Sequence, residues 1–193
     1  MGVNMKMIQQ MQTRLETMQR EGLPLELVQT VRVGRELRQS LDTVHRGEST
    51  VMLTQALHTY FRVADAMQVA VTGLDGLRYA DKYDGDTHVQ SGDWSLHDVR
   101  DPGRSDRIYA GTGHRFELID PAGGRRIRLD TFGSRSLVVW NPGEAGACAI
   151  ADMPDDGWRT FVCLEAANAG EDAIELEPGQ RHRLSHVVSV GPL

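Results

Sequence analysis

The 193-residue sequence has few of the features that define several large classes of protein. It contains only two cysteines, Cys148 and Cys163, which are too few for a disulfide framework and lack the spacing of a metal site. It contains no apolar run long enough to cross a membrane, and no basic segment followed by an apolar one that would act as a secretion signal. These absences predict a cytoplasmic protein with two reduced thiols and no membrane partner.

Positive charge and nucleotide-binding motifs are scarce as well. The sequence has a net charge of -6, whereas nucleic-acid binding generally requires a basic face. It has no glycine-rich dinucleotide motif and no phosphate-binding loop. His182 and His186 are four residues apart, but in a predicted strand this spacing does not bring two imidazoles together as it would on a helix. We therefore expect no nucleic-acid partner, no metal and no bound nucleotide.

The N-terminal segment differs in pattern from everything that follows it. Its apolar residues recur at intervals of three or four, which predicts one amphipathic helix over residues 1–22. This helix is expected to pack on the chain's own sheet or on a second copy, so the helix and any exposed sheet edges are candidate contacts for a homo-oligomer. The residues on its apolar face are Ile8, Met11, Leu15 and Met18.

Residues 23–193 are predicted to form one domain of antiparallel strands. Turn signals recur about every ten residues, which is typical of a β-sandwich or barrel. Strand-forming segments flank turns at residues 34–35, 74–76 and 121–124, and each of these pairs is expected to form a hairpin. Residues 86–106 are polar and irregular, as in a long functional loop. The sequence therefore predicts an all-β antiparallel sandwich.

Three side chains in this domain could carry chemistry. His58 lies beside an aromatic pair and is expected to project from a mostly buried strand. Asp106 begins a strand after the long loop, and Glu165 ends a run of strand-forming residues. Each also has an ordinary structural explanation. His58 could be a core histidine, and Glu165 could be a carboxylate at the solvated rim of a sheet. Asp106 could cap a turn or pair with Arg107. A histidine and a glutamate facing each other across a pocket would instead act as acid and base on a neutral substrate.

Seven short blocks occur in this order along the sequence: "ALHTYFRV", "VTGLDGLRYADK", "SDRIY", "LVVWNP", "IADMPDDGW", "FVCLEAANA" and "LEPGQRHRL". Together they resemble the hexose-6-phosphate mutarotases (glucose-6-phosphate 1-epimerases) of the galactose mutarotase-like, aldose 1-epimerase superfamily. The resemblance spans about residues 25–190. It implies a large antiparallel β-supersandwich that interconverts the α and β anomers of a hexose 6-phosphate without a metal or an organic cofactor.

The same resemblance implies roles for the three candidate residues. The family's catalytic histidine falls on His58, its catalytic glutamate on Glu165 and its sugar-binding aspartate on Asp106. In this assignment Glu165 removes the proton of the anomeric hydroxyl while His58 protonates the ring oxygen. Asp106 would hold the sugar hydroxyls.

The sequence departs from the family in two places. It has no counterpart of an "HGFAR"-like block, which in the family supplies a histidine and an arginine that grip the substrate and its phosphate. Gly143 follows the "WNP" block, where the family commonly has tryptophan. Arg104, Arg107 and Arg135 are alternative candidates for the phosphate grip. Two functions stay open: a shortened mutarotase acting on a hexose or hexose phosphate, and a non-catalytic carbohydrate-binding or interaction module of the same fold.

Overall fold

The computed structural model describes residues 25–193. The predicted N-terminal helix of residues 1–22 therefore lies outside the described residues, and the domain division beside it stays a prediction. The described part consists of antiparallel strands and one α-helix, α1, at Gly143–Ala149, which the sequence did not suggest. Within this part no helix is long and apolar enough to span a bilayer.

Fifteen strands follow one another along the described chain. They are β1 Leu25–Val33, β2 Leu37–His45, β3 Val51–Leu53, β4 Gln55–Leu57, β5 Tyr60–Arg62, β6 Ala70–Thr72, β7 Arg78–Asp81, β8 Thr87–Val89, β9 Ser105–Ala110, β10 Arg115–Asp120, β11 Arg125–Phe132, β12 Ser136–Asn141, β13 Phe161–Asn168, β14 Ile174–Leu176 and β15 Arg181–Pro192. Short 3-10 turns lie at Ala66–Gln68, Gly157–Thr160 and Gly170–Asp172.

The strands form two large sheets and a small ladder. The first sheet has the order β1-β2-β15-β11-β10-β6, and the second has the order β4-β13-β12-β9-β7-β8, with β5 also paired to β13. Strands β14 and β3 form the ladder. Every pair is antiparallel. The predicted all-β antiparallel architecture is confirmed.

The core lies between the two sheets because the strands alternate between apolar and polar residues. In β11, Ile127 and Leu129 are buried while the intervening arginine at position 128 is only half-buried, which is the period of two expected of a strand with one covered face. Leu137 and Val139 of β12 enter the same hydrophobic cluster from the second sheet. Side chains from both inner faces thus form one core.

Two of the three predicted hairpins are confirmed. Strands β1 and β2 pair across residues 34–36, and β10 and β11 pair across residues 121–124. The prediction for residues 74–76 is wrong, because β6 belongs to the first sheet and β7 to the second. The turn therefore carries the chain from one sheet to the other, and its Leu74 is fully buried between them.

The predicted long loop is partly regular. It contains strand β8, and residues 90–104 are irregular apart from an isolated antiparallel bridge between Trp94 and Val71. Trp94 and Leu96 of this segment are 1% and 0% exposed and belong to the core. The indole nitrogen of Trp94 donates to Ser105 Oγ at 3.2 Å, which ties the loop to the start of β9. The loop is therefore an integral part of the sandwich.

A buried arginine fixes the same loop to the second sheet. Arg107 of β9 is 0% exposed, and its guanidinium donates to Asp98 at 2.9 Å. It also lies 3.6 Å from an oxygen of Asp81 and 3.5 Å from one of Asp101. Burial, followed by the effect of Asp81, raises the pKa of Asp101 to about 6. One buried cation thus pairs with three clustered aspartates inside the fold.

We expect Arg107→Leu to destabilise the protein by about 3–5 kcal/mol, because it leaves buried carboxylates without their cation. The loss should be smaller at pH 5 than at pH 8. Without the cation the folded-state pKa of Asp101, which is already about 6, rises further, the folded state binds more protons, and its stability falls as the pH rises. Chemical denaturation at both pH values measures the free energy of unfolding.

Arg126→Leu is the matched control. Arg126 lies on a strand, is 44% exposed and has a surface partner, Glu117, at 3.6 Å. A surface pair contributes about 0–1 kcal/mol, so this variant should unfold almost like the wild type. Equal effects of the two substitutions would contradict a structural role for the Arg107 cluster.

Candidate active site

The three candidate residues meet at the face of the second sheet that points away from the first sheet. In β9, Arg107 and Tyr109 are fully buried on the core side, so Asp106 projects from the opposite face. In β13, Leu164 is in the core, so Glu165 projects from the same outer face as Asp106. Residues that are far apart in the sequence are thereby brought onto one surface.

The strand register sets the spacing on this face. Trp140 of β12 lies directly opposite Asp106 on one side and Cys163 on the other. Cys163 lies opposite Tyr60 of β5, and Glu165 is two residues further along β13. Because neighbouring strands are about 4.8 Å apart, the backbones of β9 and β13 are separated by about 10 Å. That gap has the width of one sugar ring with its hydrogen-bond partners.

His58 completes the group from the edge of the sheet. It lies in the two-residue break between β4 and β5, and its side chain is 46% exposed, so the expectation of a mostly buried strand position is wrong. Its Nε2 atom is 3.3 Å from Oε1 of Glu165. An imidazole and a carboxylate are therefore in direct contact at an open surface.

Glu165 is the most strongly perturbed group of the site. It lies in the middle of β13 and is only 5% exposed, so the expected position at a wet rim is wrong. Burial, and then the negative charge of Asp106, raise its pKa to about 8. Burial also lowers the pKa of His58, because the ring lies against other side chains even though part of it is open to water. At neutral pH the pair therefore holds one proton, mainly on Glu165.

Asp106 lies in a similar but less enclosed environment. Burial raises its pKa, Lys82 opposes that rise and Asp81 adds to it. The backbone N–H of Lys82 donates to the Asp106 carbonyl at 2.9 Å, so the lysine lies beside the aspartate. The alternative role of Asp106 as a partner of Arg107 is wrong, since the ion pairs of that arginine are with three other aspartates.

An aromatic cluster beside His58 was not predicted from the sequence. The Tyr60 ring stacks on the imidazole of His58 at 4.9 Å and 16°, and the Trp140 ring meets the same imidazole edge-on at 5.7 Å. Phe161 lies 5.0 Å from Tyr60 and 5.8 Å from Trp140. These residues are spread over three strands, so only their pairing register could have revealed the cluster.

The three arginines considered for phosphate binding differ in their exposure to solvent. Arg107 is excluded because it is buried on the core side of the sheet. Arg104 is 47% exposed and its guanidinium lies 3.9 Å from the centre of the Tyr83 ring, next to the start of β9. Arg135 is exposed just before β12, at the opposite end of the paired strands. Of these three, only Arg104 and Arg135 are exposed to solvent.

The glycine that departs from the family pattern is required by the local backbone. Gly143 has a φ of +66°, and a Cβ atom there would lie 2.6 Å from the carbonyl oxygen of Gly103. Its N–H donates to Asn141 Oδ1 at 2.9 Å. The loop before β9 thus occupies the space that a larger side chain would need.

The described residues contain no cluster of side chains suited to bind a metal ion. Within residues 25–193 no three histidine, cysteine, aspartate or glutamate side chains converge to hold an ion. Both cysteines are free thiols, Cys148 exposed and Cys163 buried beneath the aromatic cluster. The chemistry that His58, Glu165 and Asp106 offer at this site is proton transfer and hydrogen bonding.

Known proteins with similar sequences and structures point to one family. A protein of Escherichia coli (strain K12), provisionally named glucose-6-phosphate 1-epimerase, is 38% identical over 141 residues, which are 72% of this chain and 45% of the relative. The crystal structure of a provisionally assigned mutarotase from Salmonella typhimurium matches with a TM-score of 0.76 and 30% identity, over 88% of this chain and 54% of the other. The chain thus spans about half the length of these relatives.

A more distant structure shares the fold. A galactose mutarotase-like protein from Lactobacillus casei matches with a TM-score of 0.66 at 17% identity, over 91% of this chain and 66% of the other. The family model described as aldose 1-epimerase matches residues 9–189, nearly the whole sequence. With the antiparallel sandwich and the site geometry, this match shows that the chain belongs to the aldose 1-epimerase family.

Proposed function

We propose that this chain interconverts the α and β anomers of a hexose 6-phosphate by acid–base opening and closing of the sugar ring. The observation that carries the proposal is the 3.3 Å contact between His58 Nε2 and Glu165 Oε1 on a face that also presents Asp106. Membership of the aldose 1-epimerase family supports sugar epimerisation as the reaction class. The name of the Escherichia coli relative supports the phosphorylated hexose as substrate.

The reaction needs one base and one acid that act on neighbouring oxygens. The contact lets the shared proton move from Glu165 to His58, which makes the carboxylate a base and the imidazolium an acid. Glu165 then accepts the proton of the anomeric hydroxyl, and His58 donates a proton to the ring oxygen, so the bond between that oxygen and C1 breaks. The product is an open-chain aldehyde. The anomeric and ring oxygens are bonded to the same carbon, so an acid and a base in contact can serve both.

Reclosure completes the exchange of anomers. Rotation about the C1–C2 bond presents the other face of the aldehyde to the hydroxyl that was the ring oxygen. His58 now takes the proton of that hydroxyl, and Glu165 returns a proton to the carbonyl oxygen. The other anomer forms and the pair is left with the single proton it had at the start.

The burial of Glu165 suits it to this role. A carboxylate of ordinary pKa is a weak base, whereas desolvation strengthens Glu165 by bringing its pKa to about 8, near the operating pH. A positioned general acid or base contributes about 10²–10⁴-fold to the rate. Asp106 fixes the sugar by accepting hydrogen bonds from hydroxyl groups on the far side of Trp140.

Replacing the base or the acid should abolish most of the activity. Glu165→Gln keeps the side-chain volume but cannot accept the anomeric proton, and His58→Asn cannot protonate the ring oxygen. We expect each to lower kcat by about 10²-fold or more. Exchange NMR on α- and β-glucose 6-phosphate, and on glucose, measures the rate above the spontaneous reaction.

Glu175→Gln is the matched control, because Glu175 is an exposed strand residue of the same type. It should exchange anomers at the wild-type rate. A wild-type protein that binds the sugar without accelerating exchange would instead support the non-catalytic carbohydrate-binding module.

The pH profile reports which group holds the proton. The active form carries one proton on the His58–Glu165 pair. As the pH increases from the acid side, kcat/KM should rise while His58 loses the second proton of the pair. It should then fall near pH 8, where the pair loses its last proton. A pair with ordinary pKa values would lose activity near pH 6.5 instead. Initial rates from about pH 5 to about pH 9.5, with circular dichroism to verify folding, distinguish the two profiles.

Asp106→Asn should act on binding and on the pKa of the base. It replaces charge-assisted hydrogen bonds to the sugar with neutral ones, so KM should rise by about 10-fold. It also removes the negative charge that helps to raise the pKa of Glu165, so the alkaline limb of the profile should move to lower pH. If neither KM nor the alkaline limb of the pH profile changed, Asp106 would not be part of the site.

A further inference from the structure

The aromatic cluster of Tyr60, Trp140 and Phe161 has no part in the proton transfers. Phe161 is 9% exposed and forms its base, while Tyr60 is 41% exposed and Trp140 is partly exposed. The ring centres of Tyr60 and Trp140 are 6.0 Å apart, at 80° to each other. Half-open aromatic rings next to a reactive pair form an apolar surface in an otherwise polar site, which is the composition of a small-molecule pocket.

The register of the sheet places Trp140 where a bound sugar must pass. Trp140 lies on β12, directly between Asp106 on β9 and Cys163 on β13. Glu165 lies two residues beyond Cys163, and His58 approaches it from the edge of the sheet. Any molecule that hydrogen-bonds to Asp106 and also reaches the His58–Glu165 pair therefore crosses over the outer face of β12.

We propose that the Trp140 ring forms a platform for the apolar face of a pyranose ring, with the Tyr60 ring, which stands at 80° to it, as a side wall. A hexopyranose carries C–H groups on its two faces and hydroxyl groups around its rim. The negative face of an aromatic ring attracts such C–H groups, and Trp and Tyr provide large, rigid contact areas. The inference rests on the proposed function, because it takes the substrate to be a sugar ring that reaches His58, Glu165 and Asp106 at once.

Tyr60 has a second role in this arrangement, as a positioning residue for His58. The histidine lies in a break between two strands, so its backbone is not part of a strand ladder. Its ring is stacked on Tyr60 at 4.9 Å and 16°. Stacking fixes the plane of the imidazole and therefore the direction in which Nε2 points, toward Glu165 and the ring oxygen of a bound sugar.

The substitutions should separate the two roles. Trp140→Leu should raise KM for glucose 6-phosphate by about 3- to 10-fold with little change in kcat, because it removes an aromatic contact and leaves the acid and base in place. Tyr60→Leu should raise KM and also lower kcat, since His58 loses its support. Tyr60→Phe keeps the stacking ring and should restore kcat. Phe132→Leu is the control, an exposed aromatic residue on the first sheet.

Binding can be tested apart from turnover in Glu165→Gln. The protein has three tryptophans, and the indole N–H signal of Trp140, assigned by Trp140→Phe, should shift on addition of glucose 6-phosphate. Trp94 is 1% exposed and hydrogen-bonded in the core, so its signal should not move. A Trp140 signal that stays fixed while the sugar saturates the protein, or a Trp140→Leu variant with wild-type KM, would overturn the platform.

The outcomes distinguish the platform from the proposed function. If sugar shifts the Trp140 signal of the wild-type protein but the protein does not accelerate anomer exchange, the platform is supported and the proposed enzymatic function is wrong. If the protein accelerates anomer exchange and Trp140→Leu has no effect on it, the enzymatic function is supported and the platform is wrong. A wild-type chain that neither binds the sugar nor exchanges its anomers overturns both.

Discussion

The site depends on a single strand that is buried on both of its faces. All eight residues of β13 are buried, so the strand has the core on one side and the candidate site on the other. A strand with one wet face would leave every second side chain solvated, and a carboxylate there would keep an ordinary pKa. Glu165 is instead buried in the middle of this strand, and its burial, followed by the negative charge of Asp106, raises its pKa to about 8.

The alternation of side chains along a strand separates the charges that stabilise the fold from those of the site. Asp106 and Arg107 are neighbours in β9 but project from opposite faces of the sheet. Arg107 pairs with a cluster of three aspartates and so ties the loop of residues 90–104 to the sandwich. Asp106 lies on the other face, where Lys82 is beside it and its negative charge contributes to the raised pKa of Glu165. Two adjacent residues of opposite charge thus lie in separate surroundings because a strand has a period of two.

Local pairing could be predicted from the sequence, whereas long-range packing could not. The hairpins at residues 34–36 and 121–124 are specified by their turns and by the alternating strands beside them. The turn at residues 74–76 has the same kind of signal but leads to the other sheet, because its leucine is anchored in the core between the sheets. The site shows the same limit. Glu165 and His58 could be named from the sequence and its resemblance, but the burial of the first and the exposure of the second depend on which side chains the strand register brings against them.

The unequal exposure of the acid and the base has a consequence for the proposed reaction. The Glu165 side chain is only 6% exposed, whereas nearly half of the His58 side chain is open to water. A proton that enters or leaves the pair therefore does so through the imidazole, which can exchange with solvent while the carboxyl group stays dry. Glu165 keeps the strength that desolvation gives it, and His58 supplies the connection to bulk water. Because ring opening and reclosure use the two groups in opposite roles, one buried and one open partner can serve both directions of the reaction.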